Sequence, residues 1–308
     1  MTTCLVLGGN GFIGSHIVDI LVKNGYNVKV FGNFNSGLSN LTTVLDQLEL
    51  IKGDFRNRMD IKRALKGIDF VFHNIYFTIP QTSVEDPIYD VENVISTLQL
   101  LQEIVNSDVK KIIFSSSGGA IYGMPKEVPI TESHPTDPIS PYGVSKLSIE
   151  KYIQNFNNLY GIDYTILRYS NVYGERQDPF GKVGAITIFL NRIKEKKPLV
   201  IFGDGSAIKD YVYVKDVANA NLLAMENRSK EKVFNVGSGA GISVNHLIDL
   251  LFKITGEEIK VEYTKKRTED VSKIILDISR IEKELRWMPE TSFDDGIRNV
   301  YEWLKNTY

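Results

Sequence analysis

The sequence predicts an α/β protein built on a doubly wound parallel sheet, with a smaller C-terminal part set against it. Three observations carry that expectation. Short β-rich runs alternate with stretches whose apolar residues recur at helical spacing through the first half. The first run is followed at once by three evenly spaced glycines and a helical pattern. After "YSNVYGERQDPFG" (169–181) the alternation breaks into irregular pieces. The runs are "CLVLGG" (4–9), "NVKVFG" (27–32), "LELIKGD" (48–54), "IDFVFHN" (68–74), "KKIIFSSS" (110–117) and "DYTILRYS" (163–170). In the second half helices are expected at about 185–195, 243–255 and 279–285, with a return to the sheet near "VFNVGSG" (233–239). This places a dinucleotide-type domain at 1–170 with a return segment near 208–238, and a substrate-binding domain at 171–207 and 239–308. The sequence contains neither an internal repeat nor a flexible linker, so the two parts are expected to share a continuous interface.

Composition narrows the function. A chain of 308 residues can bury a large core. The 36 Lys and Arg against 38 Asp and Glu, with "KEKK" at 194–197 the longest basic tract, leave nucleic acid an unexpected partner. The opening "MTTCLVLGGNGFIG" lacks a basic start and its apolar run is cut by glycines. Neither a signal peptide nor a membrane span is expected there, and a cytoplasmic location follows. Cys4, the one cysteine, reads as a small buried hydrophobe, and His16, His73, His134 and His246 are scattered, so no metal site is expected.

Each end of the expected cleft has its own signature. Gly8, Gly11 and Gly14 lie between the first strand and a helix bearing Ile13, Ile17, Ile20 and Leu21. That is the Rossmann position at which backbone amides and a helix N-terminus approach a diphosphate. The second strand ends at Gly32, where such folds usually carry an acid for the adenosine ribose. It reads either as a turn glycine or as the loss of a carboxylate that would repel a 2′-phosphate, with Asn33, Asn35 and Ser36 as donors nearby. On the second reading NADP is slightly preferred to NAD. Asp54 reads as an adenine ligand or a helix cap.

At the other end, Tyr142 and Lys146 lie one turn apart on the helix that "PYGVSKLSIEKYI" forms after Pro141, and the preceding strand ends in Ser115, Ser116 and Ser117. A tyrosine exchanges a proton near neutrality only if its pKa of about 10 is lowered. A Lys ammonium and a nicotinamide cation would both act in that direction. Tyr142 as proton shuttle, Ser117 as the group polarising the substrate oxygen, and Lys146 tuning Tyr142 and holding a ribose form a set complete for hydride transfer at a carbinol. Gly118 and Gly119 would let the backbone pass close to substrate.

With these motifs in place the sequence resembles the extended short-chain dehydrogenase/reductase superfamily, within it the NAD-dependent epimerase/dehydratase family of nucleotide-sugar enzymes. The resemblance runs over "GGNGFIGSH", "SVEDPIYDVENVISTLQLL", "SSSGGAIYG", "SPYGVSK", "LRYSNVYGERQDP", "VIFGDGS", "DYVYVKDVANA" and "FNVGSG". It implies cofactor contacts at Gly8, Gly11, Phe12, Ile13, Gly14, Asp54, Phe55, Asn93 and Tyr169. It also implies substrate contacts at Ser117, Gly118 and Asn171, at Ile201 and Phe202 around a pyrimidine, and at Arg267 with Asp270 on the phosphate and ribose side. The departures are Gly32; "HNIY" at 73–76, which puts Asn74 and Tyr76 near the nicotinamide ribose and the sugar; and Lys209 in place of a phosphate-binding arginine. No carboxylate stands beside Ser117, which disfavours dehydration.

Three functions are compatible with this set. The first choice is an NAD(P)H-dependent reductase of a dTDP- or UDP-linked 4-keto-6-deoxyhexose, because loss of the ribose acid suits a cofactor released each turnover. The alternative is a UDP-hexose 4-epimerase with retained NAD. A non-catalytic dinucleotide sensor is discounted, because it would have no use for Ser117, Tyr142 and Lys146. Apolar residues on the outer sides of the helix at 88–105 and the Tyr142 helix, with the family's intersubunit helix bundle, imply a homodimer.

Overall fold

The computed structural model describes residues 2–265 and 271–308. Arg267 and Asp270 lie outside the described residues. The first half runs β1 (Thr3–Leu7), α1 (Phe12–Lys23), β2 (Asn27–Gly32), β3 (Leu48–Lys52), α2 (Arg58–Ala64), β4 (Phe70–His73), α3 (Pro80–Glu85), α4 (Pro87–Val105), β5 (Lys111–Ser117), α5 (Pro141–Tyr160) and β6 (Asp163–Tyr169). There follow β7 (Asn171–Tyr173), α6 (Ala185–Lys194), β8 (Leu199–Phe202), β9 (Ile208–Lys209), β10 (Tyr211–Tyr213), α7 (Val214–Glu226), β11 (Val233–Val236), β12 (Ile242–Ser243), α8 (Val244–Thr255), β13 (Val261–Thr264), α9 (Ser279–Leu285) and α10 (Phe293–Thr307).

Seven strands form one sheet in the order β11-β6-β5-β4-β1-β2-β3, and every pairing within it is parallel. This is the doubly wound α/β sheet the sequence predicts. The chain moves outward from β1 to β3 and then crosses to β4 on the other side. The switch point therefore lies between the C-terminal ends of β1 and β4, where such sheets open a crevice.

Alternation along the strands sends their side chains to two cores. On one face Cys4, Val6, Val30 and Leu167 pack with Ile17 and Leu21 of α1 and Val217 of α7. On the other, Leu5, Leu7, Ile112 and Ile166 pack with Ile61 of α2, Leu101 of α4, and Ile149 and Ile153 of α5. A third core gathers α6, α8 and α10 around Leu190, Leu251 and Leu304. The expected boundary at 239 needs one correction. Ile281, Leu285 and Trp287 belong to the first core, and the Trp287 indole donates to the Asp216 carbonyl at 3.0 Å. A buried tryptophan with a satisfied N–H attaches α9 to the Rossmann body rather than to the C-terminal part.

The helices that position the site have clear local signals. Ser140 caps α5, accepting from the Gly143 N–H, Pro141 takes the first position, and Gly161 ends the helix at φ 74°. Asp210 ties the sheet to the C-terminal part. Fully buried, it accepts from the backbone N–H of Ser238 at 2.7 Å and of Leu276 at 3.1 Å, and from the Ser170 hydroxyl at 3.3 Å.

Candidate active site

The turn after β1 is held open by missing side chains. Gly8 adopts φ 75°, and a Cβ there would come within 3.1 Å of the Ile75 amide. A Cβ on Gly14 would lie 2.3 Å from the Gly8 carbonyl, so only glycine lets α1 run this close to the strand. Gly11, the N-cap of α1, contributes no side-chain cap, and the first turn holds no acid. The amides at the helix start are thus left for an incoming anion. This cradle fits a dinucleotide diphosphate.

At the adenosine side, β2 ends in buried Gly32, and Asn33, Asn35 and Ser36 follow on an exposed loop. Asn10 donates to the Ser36 hydroxyl at 3.0 Å and the Asn33 carboxamide accepts from the Asn35 N–H at 3.0 Å, so these groups are already ordered. Asp54 is not the cap of α2. That role falls to Asn57, and Asp54 instead pairs with Arg56 at 2.8 Å, which holds its carboxyl below the usual range. Phe55 is buried against His73 at 5.2 Å and is part of the core.

The chemical end assembles at the C-terminus of β5. A Cβ on Gly143 would fall 2.6 Å from the Ala120 carbonyl, so this glycine lets α5 close on the turn after the strand. That approach sets Tyr142 against the Ser117 hydroxyl, whose hydrogen bond favours the phenolate. Lys146 is buried, donates to the Ser115 carbonyl at 2.8 Å, and lies 3.9 Å from the Tyr76 ring centroid and 5.7 Å from that of Tyr142. The Tyr76 and Tyr142 rings meet edge to face at 5.2 Å.

The electrostatics reverse one expectation. Burial, with the nearby charge of Asp90 adding to it, pushes the Tyr142 phenol above its ordinary value, and the Ser117 bond opposes this. Burial also lowers Lys146 to about 7, against the pull of Asp90 and Glu150. Aromatic rings around both groups remove water, which stabilises the neutral phenol and the neutral amine alike.

Other expected residues divide. Asn74 accepts from the Ser115 hydroxyl and keeps a buried, unpartnered amide nitrogen at the cofactor end. Tyr169 is held by Ser115 at 2.9 Å and by the Asn221 amide at 2.8 Å. Asn93 is turned inward. It accepts from the Phe77 N–H at 2.8 Å and donates to the Asp90 carbonyl at 2.9 Å, fixing backbone beside the site. At Gly118 the space for a Cβ is filled by Leu276, 2.7 Å away, so packing accounts for this glycine, while Gly119 has room around it. Asn171 donates to the Asp210 carbonyl at 2.9 Å. Ile201, Phe202 and Lys209 do come together, lining a cleft of about 440 Å³ with Gln81, Lys182 and Arg192. The sequence reading passed over Thr78, Asp90 and Ser145, which meet beneath Tyr142 and Lys146. Their signal is an acid and an amide, Asp90 and Asn93, on the inward stripe of an amphipathic helix.

A Rossmann sheet with a glycine cradle at its switch point and a Ser, Tyr, Lys set at the next strand end defines a dinucleotide-dependent oxidoreductive fold. The chain belongs to the NAD dependent epimerase/dehydratase family, whose sequence profile matches residues 4–237. It is 44% identical over 304 residues to a putative UDP-glucose 4-epimerase of Methanocaldococcus jannaschii, covering 98% of both chains. Among solved structures it is similar to the UDP-glucose 4-epimerase of Thermotoga maritima with UDP-glucose, at 43% identity, TM-score 0.95 and 99% of each chain. It is also similar to the Thermus thermophilus UDP-glucose 4-epimerase in complex with NAD, at 34% identity, TM-score 0.93 and 100% of each chain. These similarities weigh for the epimerase and against the reductase placed first from the sequence. No helix among the described residues is long and apolar enough to cross a membrane.

Proposed function

We propose that the protein is a UDP-hexose 4-epimerase that works on retained NAD. The observation that carries this reading is the pairing of Ser117, Tyr142 and Lys146 with the glycine cradle in a chain similar over nearly its full length to UDP-glucose 4-epimerases. NAD would supply the hydride acceptor for carbon 4 and return the hydride to the opposite face. Tyr142 would take the proton of the 4-hydroxyl as the hydride leaves and give it back on return, while Ser117 donates to the oxygen in its keto form. Lys146 would turn the hydrogen bond it donates from the Ser115 carbonyl to a ribose hydroxyl. Phe202 and Lys209 would receive the uracil and diphosphate end, apolar face and cation respectively.

The 4-ketoreductase is the second reading, favoured by Gly32, since a ribose held without a carboxylate suits exchange of the cofactor. The test is one experiment with two arms. Interconversion of UDP-glucose and UDP-galactose with no added cofactor supports the epimerase. Stoichiometric consumption of NADPH or NADH on a dTDP- or UDP-linked 4-keto-6-deoxyhexose, with no interconversion, overturns it.

The homodimer belongs to the same proposal. On α4 and α5, Leu101, Ile104, Ile149 and Ile153 point into the core, whereas Ile88 at 82% exposure, Val91 at 47% and Ile95 at 44% face outward on α4. Tyr152 and Leu159 extend this exposed apolar strip onto α5, which supports a self-complementary contact.

A further inference from the structure

Asp90 has no part in the steps above, yet it is fully buried one residue layer below them. Its two carboxylate oxygens face different elements. The Thr78 hydroxyl, from the segment after β4, donates to one, and the Ser145 hydroxyl, on α5, donates to the other at 2.5 Å. Ser145 immediately precedes Lys146 in the chain. Asn93 closes the cluster, its amide donating to the Thr78 hydroxyl at 3.3 Å. A carboxylate without a bonded cation is costly inside a protein, so two hydroxyl donors and a nearby ammonium are the conditions under which one persists.

We propose that Asp90 is a positioning residue: through Ser145 and Thr78 it holds the Tyr142 and Lys146 face of α5 against the 76–78 segment, and its negative charge favours the ammonium form of Lys146 and sets the pH at which Tyr142 becomes the phenolate that accepts the 4-hydroxyl proton. The proposal rests on the carbon-4 chemistry assigned to Tyr142. The groups that share this region support it. On α5 the Asp90 charge raises both Tyr142 and Lys146, and Glu150 also raises Lys146. On the segment after β4 it raises Tyr76, and on β4 His73 is held neutral by burial and by Lys146. From α3 comes only the neutral Ser83 hydroxyl, because Glu85 is exposed and paired with Lys182. Arg58 of α2 is engaged by Glu103 at the far end of α4. Asp90 thus stabilises the proton on both catalytic groups.

Asp90→Asn tests this, since it removes the charge with little change of shape. Loss of that charge lowers both Tyr142 and Lys146, so the pH profile of UDP-hexose epimerisation is expected to move to lower pH by about one unit, the lower end of what a close charge produces. A parallel titration needs no turnover: the ultraviolet absorbance of tyrosinate is followed with and without Tyr142→Phe, in the wild type and in Asp90→Asn. Tyr142 ionising at lower pH in the variant supports the proposal; ionisation at the wild-type pH in a folded variant overturns it. If no UDP-hexose is turned over by the wild type, the functional reading fails, and the titration still decides the role of Asp90. Should Asp90→Asn not fold, Thr78→Val/Asp90→Leu/Ser145→Ala replaces the whole cluster, leaving no donor without its acceptor. The same displacement is expected from it, and its absence is equally decisive.

Discussion

Tyr142 is where a single atom separates binding from chemistry. Tyr142→Phe removes the exchangeable proton and keeps the ring that packs on Tyr76. Turnover is expected to fall by at least about a hundredfold, the lower bound of general acid–base catalysis, with thermal unfolding and UDP-sugar binding by calorimetry close to wild type. A tenth of the wild-type rate or more in the variant would remove Tyr142 from the reaction. Two histidines give the molecule an acid limit of a different kind. Burial lowers His16 to about 4 and His73 to about 3, so the folded chain keeps both neutral at a pH where the unfolded chain protonates them. Their contribution to stability is complete above about pH 6.5 and is lost progressively as pH falls toward the folded values. Melting temperature is therefore expected to drop below about pH 6.5, and His16→Gln to flatten that drop; an unchanged slope would contradict it.

The helix α5 can carry the proposed chemistry because its first turn approaches the end of β5. Gly143→Ala inserts a methyl 2.6 Å from the Ala120 carbonyl, which is backbone and cannot rotate away. Such overpacking costs about 1–3 kcal/mol, and displacement of the helix also carries Tyr142 away from Ser117. Lower thermal stability together with a lower kcat is the expected result, and a variant with neither change would mean that the helix has slack there. Elements of this kind were legible in the sequence. Six strands appeared as β-rich runs, and Ser117, Tyr142 and Lys146 followed from a strand end and one helical turn, both local signals. Asp90 shows only in its place with Asn93 on the inward stripe of α4, and its meeting with Thr78 and Ser145 was not legible, because three separate segments converge and nothing in each reports the others. α10 was not expected either, although Ser292 caps it, Asp294 and Asp295 sit in its first turn, and Ile297, Val300 and Leu304 form its buried stripe. The strands β7 to β10 and β12 are two to four residues long, too short for a periodicity to register.

At the scale of the molecule, the sequence draws its division into two parts by chain position, and the packing of α9 does not follow chain position. α9 returns to the first core because Trp287 finds an apolar site and the Asp216 carbonyl there, a choice made by tertiary packing. The outer faces of α4 and α5 make a prediction about assembly. Light scattering at micromolar concentration is expected to give the mass of a dimer, and Ile95→Glu, which sets a charge in the exposed strip, to give a monomer. A monomeric wild type would exclude the pairing.

The position of β11 bears on how the chain is born. The strand that flanks β6 arrives only with residues 233–236, and the face covering β6 and β1 is sealed later still, by Trp287. A nascent chain that has emerged as far as β6 presents a strand edge with its backbone groups unpaired and half of one core uncovered. Such an edge is a template for pairing with another chain. The dinucleotide half therefore cannot complete its sheet and its first core ahead of the rest during synthesis: the residues proposed for catalysis emerge early, and the strand and the tryptophan that close this core emerge after them.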